Sequence, residues 1–133
     1  MDISNELSAV QRIREASEKA KIELSLSNNA EISLPFLAAD QSGPKHLNTR
    51  LSRPKLEMLI DKYTEKMKNN CLQFLSENKI DREKDIDEII LVGGISRIPR
   101  VQEIIKSVFG KEPNKSLNPE EAPVLGASIM VNY

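Results

Sequence analysis

Two neighbouring glycines, Gly93 and Gly94, follow the β-prone run Ile89-Ile90-Leu91-Val92 and precede a helical pattern that begins near Ser96 to Pro99. Glycines at such a junction let the backbone approach a ligand closely. The free N–H groups and the positive end of the helix dipole then favour an anion, phosphate above all. A plain tight turn accounts for the same dipeptide, and the local pattern leaves both readings open. Neither the phosphate-loop signature nor the dinucleotide signature GxGxxG is present.

Arg97 stands at the start of that helical pattern, where a cation opposes the helix dipole by roughly 0.3 to 1 kcal/mol. Something must compensate it: a bound phosphate, a flat base stacked on the guanidinium, or a nearby carboxylate. Farther upstream, Glu18, Lys21 and Ser25 are spaced to lie along one polar face of a helix. They could address ribose hydroxyls and the polar edge of a base, but spacing by itself favours an ordinary solvated Glu-Lys pair. The single cysteine rules out an internal disulfide, and no Ser-His-Asp, Cys-His or metal-ligand constellation can be assembled, because Cys71 falls on an apolar helical stripe and His46, the one histidine, has no partner in sequence. Asp85, Asp87 and Glu88 precede the Ile89–Val92 run, whereas the ligand crevice of an α/β sheet lies beyond the carboxyl ends of its strands. No catalytic and no metal-ligating residue is expected.

The elements that would position these residues follow from periodicity. Leu7, Val10, Ile13, Ser17, Ala20 and Leu24 form a helical stripe, and Asn28-Asn29 closes it. Alternation at Ile32, Leu34 and Phe36, turn chemistry at Gln41-Ser42-Gly43-Pro44, and renewed alternation at Leu47, Thr49 and Leu51 predict a β-hairpin. Pro35 suits an edge strand, and His46 falls in the return strand. Ser52 as N-cap and Pro54 in the first turn open a long helix, with Leu56, Leu59, Ile60, Tyr63, Met67, Cys71 and Phe74 as its apolar stripe. Ile89–Val92 reads as a strand buried on both faces of a parallel sheet. The following helix carries Val101, Ile104, Ile105 and Val108 on one face and ends at Gly110. Asn118-Pro119-Glu120-Glu121 reads as the start of a last helix, with Pro123 forcing a late start or a kink.

The 133 residues, 39% hydrophobic and 29% charged, fit one domain or two small subdomains. A formal net charge of -1 carries neither a nucleic-acid footprint nor a polybasic membrane signal. No apolar run approaches the ~20 residues of a membrane helix, and no signal or transit pattern opens the chain. Neither nucleic acid nor membrane is expected as a partner.

The segments EASEKAKIELS (Glu15–Ser25), GPKHLN (Gly43–Asn48), IILVGGISRIPRVQ (Ile89–Gln102), FGKEP (Phe109–Pro113) and NPEEA (Asn118–Ala122) closely resemble the heat-shock 70 kDa, DnaK-type chaperone family. They occur in family order and cover most of the chain, and GPKHLN with KIELS resembles the bacterial and mitochondrial branch. The resemblance implies an α/β fold, α+β in its first part, forming the later part of the second lobe of an actin-like, ribonuclease-H-like ATPase domain. Residues 1–62 would be part of the outer subdomain and residues 63–133 part of the inner one.

By resemblance, Glu18, Lys21 and Ser25 line an adenosine site. Gly94 approaches phosphate and ribose, Arg97 with Ile98 flanks the adenine, Gly93, Ile95 and Ser96 belong to the same nucleotide-binding set, and Glu120 matches an adenine-side position usually held by Asp. The polar-face reading of the first helix thereby becomes the favoured one. ATP or ADP is the implied ligand, bound weakly here. Magnesium would be held only through the family's first lobe, whose motifs have no counterpart among these residues, so hydrolysis by the chain alone is not expected. The implied partners are a GrpE-like exchange factor docking on the outer subdomain, and a J-domain co-chaperone and unfolded polypeptides acting through the full-length parent. The implied compartment is the mitochondrial matrix for a eukaryotic source and the cytoplasm for a bacterial one.

Overall fold

A computed structural model describes residues 2–132. Its elements are α1 (Leu7–Glu23), β1 (Asn29–Asp40), β2 (Gly43–Ser52), α2 (Arg53–Glu77), a 3-10 turn (Gly94–Arg97), α3 (Pro99–Phe109) and α4 (Ala122–Met130). The mixture of helix with a small antiparallel sheet matches the expected fold class. The chain divides into two compact units, one ending at Leu59 and the other beginning at Ile60, within α2.

In the first unit α1 packs along β1. Its buried face is rotated from the expected stripe. Ala9 and Ala20 are buried and Ile13 and Ala16 half-buried, whereas Leu7 is 84% exposed and Ser17 lies in solvent. Alanines at these positions let the helix axis approach the sheet, which longer side chains would hold off. Leu24, 1% exposed, closes the helix, and its carbonyl accepts from Arg53 Nε at 2.8 Å.

The hairpin is antiparallel, with Asn29 opposite Ser52 and Asp40 opposite Gly43. Asp40 Oδ1 accepts from the Ser42 N–H at 2.8 Å and from its hydroxyl at 2.6 Å, which fixes the turn. Both bonds stabilise the carboxylate and hold the Asp40 acid below its ordinary range. The ladder breaks between Leu34 and Ala38, and Phe36 there has φ 51. The expected alternation therefore fails at Phe36, which is 70% exposed. The bulge turns its ring off the buried face.

In the second unit, the working face of α2 is Thr64, Met67, Cys71 and Leu75 rather than the Tyr63 and Phe74 line expected from the sequence; the latter two are 62% and 55% exposed. Leu75 joins Ile104 and Val108 in a core flanked by Met67, Cys71, Ile80, Ile86 and Phe109. α3 buries Val101, Ile104, Ile105 and Val108 and stops at Gly110, whose φ of 70 lets its N–H reach the Lys106 carbonyl at 2.8 Å. Arg82 caps the same end by donating to the Val108 carbonyl at 3.1 Å.

Ile89–Val92 departs most from expectation. It forms no strand; among the described residues its pairing is one parallel bridge between Ile90 and Asn114, and Ile90 and Val92 are 50% and 55% exposed. A strand buried on both faces needs neighbours on both sides, and these residues supply one short contact. Of the late start and the kink expected from Pro123, the last helix takes the late start. Residues 118–121 form a turn closed by Glu121 and Ala122 N–H groups on the Asn118 carbonyl, and α4 starts at Ala122 with Pro123 in its first turn. The missing proline N–H is harmless there.

Candidate functional site

Gly93 has φ 87 and ψ 152, a backbone geometry that a side chain would strain. Its N–H donates to the Pro119 carbonyl at 2.9 Å, which draws the 118–121 turn against the glycine pair. Gly94 opens a 3-10 turn instead of the N-terminus of α3, so the helix dipole does not begin at the glycines. The N–H groups of Gly94 and Ile95 find no acceptor among the described residues. A Cβ built on Gly94 would lie 3.4 Å from Glu120 Oε1, so a carboxylate stands directly over the glycine backbone.

Arg97 ends the 3-10 turn and reaches the same place. Nη2 donates to Asn118 Oδ1 at 2.8 Å, and Nε lies 3.6 Å from Glu120 Oε1. Asn118 Oδ1 also accepts from the Glu120 N–H at 3.0 Å, so one amide oxygen fixes the arginine and the backbone that carries its carboxylate partner. The cation is thus compensated by a carboxylate. With the Arg97 and Glu120 side chains 42% and 60% exposed, that pair is worth at most about 1 kcal/mol.

Ser96 and Ile98 work from behind. Ser96 is 4% exposed and donates its hydroxyl to the Gly93 carbonyl at 2.6 Å, and Ile98 is 3% exposed. Gln102 Nε2 donates to the Ser96 carbonyl at 3.1 Å and braces the turn from α3. Ile95 is 58% exposed. A cavity of about 420 Å³ adjoins this cluster, with Leu91, Ser96, Arg97, Gln102 and Asn118 among its lining residues.

In the first unit, Glu18 and Lys21 pair across one helical turn at 2.7 Å, and the Ser25 hydroxyl donates to the Ile22 carbonyl at 2.6 Å. Lys21 is the better covered of the two, at 29% side-chain exposure against 59%.

The family model described as Hsp70 protein matches residues 1–132. The chain belongs to the Hsp70 family. It is 48% identical over 129 residues to a mitochondrial heat shock 70 kDa protein of Solanum tuberosum and 47% identical over 129 residues to one of Pisum sativum. Each match covers 97% of this chain but 19% of the relative's length, so the chain spans about a fifth of the Hsp70 proteins it matches. Its mixed helix and strand content is consistent with a fragment of the Hsp70 ATPase domain.

Of the residues singled out from sequence, Gly93, Gly94, Arg97 and Glu120 come together in the second unit, held by Ser96 from beneath. Sequence reasoning overlooked Asn118 as a partner of Arg97. Its signal was present, since Asn before Pro marks a turn whose side chain bonds forward, but nothing local says that the same oxygen has a second donor.

Proposed function

We propose that the chain is part of the nucleotide-binding region of an Hsp70-type chaperone and supplies the adenosine side of the site. The longer protein would couple ATP hydrolysis to the binding of unfolded polypeptides, in the mitochondrial matrix if its source is eukaryotic. The observation that carries this reading is the placement of Arg97 and Glu120 over the Gly94 backbone. A carboxylate beside Gly94 repels a phosphate but accepts hydrogen bonds from ribose hydroxyls or an adenine amino group, and the arginine plane offers a stacking surface for a base. The free Gly94 and Ile95 N–H groups donate to the sugar or to the nearest phosphate oxygen. Ser96 and Ile98 serve through the backbone they hold. Glu18, Lys21 and Ser25 are assigned to ribose and the base edge on family resemblance. Magnesium and the reacting phosphates belong to residues outside this chain.

With part of the contacts present, affinity for ADP is expected on the order of millimolar, about 4 kcal/mol. Titration of the labelled chain with ADP, followed by amide shifts, should move Gly94, Ile95 and Arg97 first. Arg97→Ala should weaken binding roughly tenfold, the loss of about 1.4 kcal/mol of stacking and charge. Micromolar binding unchanged in that variant would overturn the assignment.

A second reading, an exchange-factor docking surface on the first unit, is favoured by Phe36, an aromatic ring 70% exposed on the hairpin. Phe36→Ala should abolish co-elution with a GrpE-like factor while leaving ADP shifts unchanged. Co-elution that survives the substitution would count against it.

A further inference from the structure

The bulge in β1 is held by two side chains from two other elements. His46, on β2, accepts the Phe36 N–H on Nδ1 at 2.7 Å, and its ring meets the Phe36 ring edge-on at 4.7 Å. Arg12, on α1, donates from Nη1 to the Phe36 carbonyl at 2.9 Å and from Nη2 to the Pro35 carbonyl at 2.8 Å. Between them Phe36 is kept at φ 51, a left-handed conformation that a bulky residue adopts only under constraint. The bond to Nδ1 requires a lone pair there, so the ring must be neutral with its proton on Nε2. A protonated ring presents N–H at both nitrogens and confronts the Phe36 N–H donor with another donor.

We infer that His46 is a pH-responsive latch on the hairpin: the neutral ring holds the Phe36 bulge and the protonated ring releases it. Arg12 brings a positive charge to the carbonyl of the same residue from α1. On the hairpin, Lys45 beside His46 lies 3.6 Å from Asp40, whose Oδ1 already accepts from Ser42. Glu31 and Arg50 face each other farther along the ladder. No carboxylate bonds to His46 among the described residues. Release frees the exposed Phe36 ring from the imidazole edge while Arg12 keeps the carbonyl side attached. The inference stands on hairpin geometry and requires neither functional reading above.

The test uses the isotope-labelled 133-residue chain between pH 8 and pH 5, the range over which imidazole side chains change charge. At pH 8 the His46 nitrogens should report the Nε2–H tautomer. As the ring titrates, the Phe36 amide should shift with the same midpoint, and its exchange, corrected for intrinsic rate, should speed up roughly three- to tenfold, as expected for one lost hydrogen bond. His46→Asn, which keeps an acceptor near the Nδ1 position but does not titrate, should leave Phe36 protection independent of pH. Arg12→Gln should raise exchange at both ends of the range and leave the pH response in place. A Phe36 amide whose protection is constant while His46 titrates, an Nδ1–H tautomer at pH 8, or an undiminished pH response in His46→Asn would each overturn the latch.

Discussion

Cys71 lies partly covered beside Leu75, Ile104 and Val108, and that burial pushes its thiol above the ordinary cysteine value. The thiolate is the reactive form, so the folded chain should alkylate more slowly at neutral pH than the same chain in denaturant. Iodoacetamide labelling followed by mass spectrometry measures both rates; equal rates would mean that α2 does not cover the thiol. The sign for stability follows from the same shift. The contribution is intact below about pH 9 and is lost as the pH rises through the folded-state value, because the unfolded chain gives up the proton first. Residue chemistry was legible where it is local. A lone cysteine on a helical apolar stripe was enough to place Cys71 inward. Arg97 was not legible in this way, because its partners Asn118 and Glu120 lie on a later turn and no short-range pattern connects them.

Elements differ in how much of their position their own residues specify. α3 was readable to its last residue, since four apolar positions at helical spacing fix the face and Gly110 fixes the end. The turn of the hairpin was readable too, because Gln41-Ser42-Gly43-Pro44 marks it in adjacent positions, but the bulge at Phe36 was not. α2 was misread by a fraction of a turn. It carries apolar residues on several sides, and only the partners on α3 decide that Leu75, not Phe74, is covered. Leu75→Ala should therefore cost roughly 2 to 5 kcal/mol, and Phe74→Ala less than about 1 kcal/mol. Urea midpoints of the two variants discriminate the faces, and a reversed order would restore the sequence-based stripe. α4 has no buried residue, and Val124, Ile129 and Met130 are 70%, 59% and 73% exposed, so its own pattern could not announce which side is inner.

At the scale of the whole molecule, the chain divides into two compact units, with Ala9, Ala20, Leu24 and Ala30 buried in the first and Leu75, Ile104 and Val108 in the second. Among the described residues no helix is long and apolar enough to cross a membrane. Much of the large apolar surface is nevertheless exposed, including Ile90, Val92 and most of α4. Family membership was legible in the ordered motifs, and the match along residues 1–132 agrees with them. What the motifs could not supply was the environment of Ile89–Val92, because a strand is defined by its neighbours as much as by its own residues.

The parallel bridge between Ile90 and Asn114 then says something about the order in which the chain assembles. A hairpin closes within about 1 to 10 μs because its partners are near in sequence, whereas a parallel contact must wait for the intervening helix and pays the loop entropy first. Native-state hydrogen exchange should show the amides paired across the regular part of the hairpin and those inside α3 well protected. The Asn114 amide, bonded to the Ile89 carbonyl at 2.8 Å, should open at lower free energy than any of these, and an Asn114 amide as slow as the core of α3 would contradict that order. The Gly93 N–H is held by the Pro119 carbonyl, on the chain segment that follows this bridge, so the glycine turn should loosen together with Asn114 in the same exchange experiment.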